Sequence, residues 1–254
     1  METSRHHAGR QQGSVPQNVP WRMVDALAIV LAYLLFQVLL AGGLGVGPYD
    51  PALLGVKAAS DVMAVLAACT LLRMLGSARN DGRPVSVLLG LRAPVPGWEG
   101  RALRALLAGG IAYGAALWAV GRALAALGVR PEDVPVQAVA ALVGEASSAR
   151  VVAVAVAVGV LVAPVGEELL YRVVLYLPLR DRVGPVAAAV VVGVVFAMLH
   201  GHAPGLGPFF VLSVLFTGLF EATGSIWVPI AVHGAYNAAN IALLRVAWGP
   251  PGGA

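Results

Sequence analysis

The run from Val151 to Val165 carries no charge, yet Glu167, Glu168 and Arg172 follow at once, and the chain is then apolar again as far as Leu179. An apolar stretch of about thirty residues is long enough to cross a ~30 Å hydrocarbon core as a helix. In lipid, every backbone polar group must find a partner inside its own segment or a closed barrel, so a run of this kind is helical. Ionisable side chains at that depth are costly and rare; they face the protein interior and need partners. The stretch Pro164 to Arg172 therefore demands a helical bundle in which to bury three charged groups, and other polar side chains to meet them.

The rest of the chain supplies the bundle. Its 254 residues are 59% hydrophobic and only 12% charged, with a mean hydropathy of +0.81; soluble domains average about 25% charged residues. Apolar runs lie at Ala26–Val46, Ala52–Leu75, Ala105–Leu127, Val151–Leu179, Val186–His200, Phe209–Phe220 and Ile226–Val246. The expected fold is all-α, a polytopic transmembrane helical bundle of about seven helices, with six and eight as the limits. The first run is too long for a signal-peptide core of about 7–15 residues and reads as a retained span. The sixth is short for a span and is expected to be tilted or partly re-entrant. Turns are expected at Gly47–Pro51, Arg180–Arg182 and Gly201–Pro208. Arg73 to Arg104 reads as an arginine-rich polar loop, and Gly128 to Arg150 as a mixed loop holding a short interfacial helix. The chain then divides into a disordered cytoplasmic tail (1–22), N-terminal membrane helices with the arginine-rich loop (23–150), a membrane core carrying the site (151–247) and a loose Gly/Pro tail (248–254).

The net charge of +4 rests on sixteen Arg and one Lys. Twelve of the arginines fall in the N-terminal tail, the arginine-rich loop and the segment around Arg180, a bias that places these on the cytoplasmic side. The N-terminus is then inside and, with seven helices, the C-terminus outside. This describes a multi-pass protein of a cell membrane, and the arginine bias suggests a bacterial plasma membrane. No basic stretch is interleaved with aromatics, which argues against nucleic acid as a partner. The lone cysteine, Cys69, excludes an intramolecular disulfide and a cysteine metal site; it reads as a small buried hydrophobe. Lys57 and Asp61 share one helix face at i, i+4 and read as a structural ion pair turned into the bundle.

Partners for the Glu-Glu stretch come from the later runs. Glu168 and Arg172, at i, i+4, can pair on one face, which leaves Glu167 about 100° round the helix and free for another task. His200 closes the fifth run; His233 and Asn237 lie about 40° apart on the seventh. Counted from a turn at Arg180–Arg182 at 1.5 Å per residue, Glu167 and His200 lie at depths of about 20 and 27 Å. Glu167, His200, His233 and Asn237 can therefore line one cavity, with Glu168 and Arg172 in support. His202, in a Gly/Pro turn, has no assigned role. A carboxylate and an imidazole on one water can activate it as a nucleophile, while a second imidazole and a carboxamide can donate to an oxyanion. Such a set suits amide hydrolysis without a covalent intermediate. Glu167, His200 and His233 would also suffice as a first shell for zinc, so both a metal-free and a metal mechanism stay open and the cofactor is undetermined. His-Glu-x-x-His and Gly-x-Ser-Gly motifs are absent, and Asp50 has no Gly-x-Gly-Asp partner for an aspartyl dyad.

The segments Glu167-Glu168-x-x-x-Arg172, Phe196-x-x-x-His200 and His233-x-x-x-Asn237, in this order, resemble the CPBP family of intramembrane endopeptidases (CAAX proteases and bacteriocin-processing enzymes, also called the ABI family). Thr223 to Ile230, leading into the last motif, is similar to that family as well. The resemblance covers roughly residues 160 to 240. It implies a membrane hydrolase acting on membrane-associated or lipidated peptides and proteins, with Glu167 and His200 activating water. His233 and Asn237 would stabilise the oxyanion, and Glu168 with Arg172 would hold the helix geometry. The alternative is a non-catalytic scaffold, immunity factor or transport-accessory protein of the same fold. A small-solute transporter would need inverted repeats, and the first half holds no counterpart of the Glu-Glu run.

Overall fold

The computed structural model describes residues 15–47, 50–78, 82–130, 134, 143 and 148–248. Among these residues it has eight helices and no strand. They are α1 (Met23–Leu44), α2 (Ala52–Ala78), the single turn α3 (Val85–Leu88), α4 (Trp98–Ala126), α5 (Ala149–Val183), α6 (Pro185–Leu199), α7 (Leu206–Thr223) and α8 (Trp227–Trp248). Among the described residues, five segments are long and apolar enough to cross a membrane: α1, Ala52–Thr70 of α2, α4, α5, and Ala203–Thr223, which contains α7. The fifteen-residue α6 and the twenty-two-residue α8, which carries His233, Asn237 and Asn240, complete the bundle. The protein is a multi-pass membrane protein. Its outer face is apolar in the way a lipid-facing surface requires: Leu31 is 64% and Ile111 75% exposed.

The core follows α5. Every side chain from Leu169 to Leu177 is buried, because this segment packs against α1, α2 and α6 at once. The helix is not regular. Wide π-type turns at Ala157–Val162 and Leu169–Tyr176 flank Ala163–Glu168. Pro164 accounts for the first: with no N–H it cannot serve the carbonyl of Val160, four residues back, or of Gly159, five back. Helix α8 covers both. Asn237 Nδ2 donates to Gly159 O at 2.7 Å, and α8 lies so close that a Cβ on Gly234 would sit 2.6 Å from Val160 O.

Several sequence expectations change. The turn expected at Arg180–Arg182 is helical; α5 runs to Val183 and breaks at Gly184 (φ 83°), with Pro185 opening α6. A positive φ suits glycine, and proline suits a first helical turn, so the Gly-Pro pair overrides the charged residues before it. Glu167 and His200 then lie seventeen and sixteen residues from the break, at nearly equal depths of about 26 and 24 Å. The arginine-rich loop is shorter than expected: Arg73 belongs to α2, and Arg101 and Arg104 to α4. Arginine is a good helix former, and charge at the end of a span does not stop a helix. The sixth run is not short, since Ala203–Thr223 is long enough to span.

Part of the expected disordered tail is ordered. Val15 and Trp21 are buried, Trp21 Nε1 donates to Val174 O at 3.0 Å, and Arg83 donates to the carbonyls of Gln17 and Asn18 at 2.8 and 2.7 Å. Residues 1–14 and 249–254, and most of the interfacial helix expected before Arg150, lie outside the described residues. The start of α8 is set by the chain from Gly90 to Val95. Ile226 N donates to Gly90 O at 3.0 Å, Val95 N to Thr223 O at 3.0 Å, and Ser225 Oγ to Arg92 O at 2.6 Å. The Thr223–Ile226 hinge is thus bonded to the N-terminal half before α8 carries His233 into the core.

Candidate active site

Glu167 and Glu168 stand on neighbouring positions of α5 and face different partners. Glu168 is fully buried, with Oε2 3.1 Å from Arg172 Nε, and Arg172 is fully buried too. A π-type turn joins the two residues, and the helical spacing still brings them together as expected. Arg172 also donates from Nη2 to Ser213 O (2.9 Å) and Oγ (3.1 Å) on α7, and its guanidinium lies 5.3 and 5.4 Å from the rings of Phe196 and Phe216. The second oxygen of Glu168 accepts from His233 Nδ1 at 2.9 Å. Glu168 therefore holds more than helix geometry: it orients one of the site imidazoles, which its spacing to Arg172 alone does not reveal.

Glu167 is all but buried. Its Oε1 is 2.9 Å from Lys57 Nζ on α2. Its Oε2 is buried without a hydrogen-bond partner among the described residues and lies 3.9 Å from Nε2 of both His200 and His233. Those distances are too long for direct hydrogen bonds. One oxygen atom at about 2.8 Å from each group would bridge them.

The two imidazoles differ in what holds Nδ1. His200 Nδ1 is 2.7 Å from Phe196 O; a carbonyl only accepts, so Nδ1 carries the proton and the neutral ring presents a lone pair at Nε2. His233 Nδ1 faces the Glu168 carboxylate instead, which only accepts, so Nδ1 donates there and the ring is held with Nε2 toward Glu167. Aromatic rings fix both: His200 packs 4.3 Å from Phe196 and 4.5 Å from Phe209, and His233 stacks on Phe216 at 4.8 Å. Asn237 shares the α8 face with His233, but one N–H is spent on Gly159 O; the carboxamide carries two hydrogens. His202 lies against Phe209, with ring centroids 6.3 Å apart.

Reading the motifs misses three residues. Lys57 pairs with Asp61 as expected, both carboxylate oxygens lying 2.7 Å from Nζ, but Lys57 also reaches Glu167. Tyr33 on α1 donates to Asp61 Oδ1 at 2.9 Å and lies 3.3 Å from Lys57 Nζ. The signal was present: the chain's only lysine, four residues before an aspartate, in a span otherwise free of charge. Glycine makes the contact possible, since a Cβ on Gly166 would lie 2.7 Å from Asp61 Cβ and 3.1 Å from its Cα. Glu167, Lys57 and His200 border a cleft of about 350 Å³ whose other walls include Leu34, Val38, Leu53, Val56 and Leu199.

The residues considered for zinc do not fit it well. Lys57 already sets a cation against Glu167, and among the described residues no three of His, Cys, Asp and Glu converge as a ligand set.

A multi-pass helical membrane protein with buried carboxylates and imidazoles gathered beside an apolar cleft is the class that fold and site define. Residues 149–239 match the family model described as Type II CAAX prenyl endopeptidase Rce1-like. The match agrees with the CPBP/CAAX resemblance of the three motifs, all of which fall inside it. The description of that family model is of an endopeptidase. No curated protein and no solved structure matches the chain.

Proposed function

We propose that the protein is an intramembrane endopeptidase that hydrolyses peptide bonds of membrane-associated substrates with a water activated by Glu167 and His200. The observation that carries this reading is the buried, unpartnered Oε2 of Glu167, 3.9 Å from two imidazole nitrogens. A buried polar atom without a partner is costly, and such atoms concentrate where chemistry is done. Water held between Glu167 Oε2 and His200 Nε2 gives up a proton as its oxygen attacks the carbonyl carbon. His233, whose ring Glu168 orients, and the second N–H of Asn237 donate to the oxyanion. Collapse breaks the C–N bond, the proton passes to the leaving nitrogen, and a carboxylate and an amine result. No covalent enzyme intermediate forms and no step passes through a metal.

The apolar cleft suits a substrate whose reacting bond lies beside an apolar side chain or a lipid chain. Peptide-bond hydrolysis is what carries over from the matched family; a prenylated C-terminus is not required by anything in the site. The test compares the wild type with Glu167→Gln and His200→Ala on a library of membrane-anchored peptides in ¹⁸O-labelled water. Each variant is expected to lose a factor of about 10²–10⁴ in rate, and one ¹⁸O should appear in the new carboxylate. A wild type that cleaves nothing, or variants that cleave equally well, would leave the non-catalytic scaffold as the better reading.

A further inference from the structure

We infer that the site is completed from outside the matched segment: Lys57 on α2 is a positioning residue that holds Oε1 of Glu167 and so presents Oε2 to the two histidines. This rests on the reading of Glu167 as the base. The two oxygens of Glu167 have unlike surroundings. Oε1 faces an ammonium at 2.9 Å, and Oε2 has no partner among the described residues. A carboxylate held at one oxygen cannot turn about its last torsion without losing that bond, so the ion pair selects which oxygen meets the water.

Lys57 is itself held. Asp61 takes it at 2.7 Å with both oxygens and Tyr33 lies at 3.3 Å. Tyr33 in turn donates to Asp61, which closes a small ring of bonds between α1 and α2. Asp61 is 1% exposed, whereas the Lys57 side chain, at 28%, reaches the cleft. Helix packing is shaped to the same end, since only a glycine at position 166 lets the Asp61 backbone come so near.

A purely structural Lys57–Asp61 staple would affect folding but leave the rate of the folded protein unchanged. The test uses full-length protein in lipid vesicles and a peptide that the wild type cleaves. Lys57→Met is expected to lower kcat roughly 100-fold, the lower range for losing a competent base, with KM within about threefold because the substrate contacts remain. Lys57→Arg keeps the charge and should retain more than about a tenth of kcat. In Lys57→Ala, added ethylammonium should restore activity at least about tenfold, while neutral propanol should not. The proposal is overturned if Lys57→Met keeps kcat within about threefold of wild type, or if the amine and the alcohol act alike on Lys57→Ala. Should Lys57→Met fail to fold, the arginine variant and the amine rescue decide. An inactive Glu167→Gln beside a fully active Lys57→Met would refute the role of Lys57 alone; an active Glu167→Gln would refute the base and the role of Lys57 with it.

Discussion

Replacing Arg172 by Met would test the buried chain Arg172–Glu168–His233. Arg172 and Glu168 are both fully buried, 3.1 Å apart, so water cannot screen the charge left behind. Removing one partner of such a pair costs about 3–5 kcal/mol, most of it the penalty of a stranded charge. The lost bonds to Ser213 fall within that figure, because contacts in one network are not additive. Glu168→Gln in the same background removes the stranded carboxylate while keeping an acceptor for His233 Nδ1. The double variant is therefore expected to regain stability, with a coupling energy of about 1–3 kcal/mol relative to the sum of the single changes. Activity should not follow. The neutral amide holds His233 by a weaker bond than the carboxylate does, and losing one well-placed oxyanion donor costs about 10²–10³ in kcat. The assay is equilibrium unfolding in mixed micelles for all four proteins, with peptide cleavage measured in parallel. An Arg172→Met protein as stable as the wild type, strictly additive changes, or a fully active double variant would refute the reasoning.

Two further substitutions probe how the helices are held. Gly166→Ala should push α2 away from α5, since the new Cβ would lie 2.7 Å from Asp61 Cβ; overpacking of this kind costs about 1–3 kcal/mol, and thermal unfolding together with a lower cleavage rate would show it, while an unchanged rate would argue against the contact. Asn237→Ala leaves the Gly159 carbonyl beside Pro164 without its donor, an expected loss of about 1–3 kcal/mol, and an Asn237→Ala protein as stable as the wild type would show that this carbonyl has another partner.

Much of the architecture is legible in the residue order because it follows from local rules. Seven apolar runs of near-membrane length have few alternatives to helices, and a spacing of four residues puts Glu168 with Arg172, and His233 with Asn237, on common faces. The ends of helices were less legible. Arginines near Arg180 and Arg104 mark where a chain meets polar surroundings, whereas a helix stops where backbone geometry stops it, at Gly184. Val15 to Trp21 reads as tail because it is polar and proline-bearing, and only packing against α5 makes it part of the core.

What the order of residues determined, then, is a helical membrane bundle with two carboxylates and a guanidinium in the middle of α5, and with two histidines and an asparagine at matching depth. Tertiary structure decided which atom meets which: Lys57 on Glu167, His233 on Glu168, and Glu167 Oε2 turned to both histidines. The physical reason is rotation. Spacing along one helix fixes relative direction within it, but the angle at which one helix presents its face to another is set by close contacts such as Gly166 with Asp61 and Gly234 with Val160. The π-type turns on either side of Glu167 shift that angle again, and no periodicity in the chain announces them.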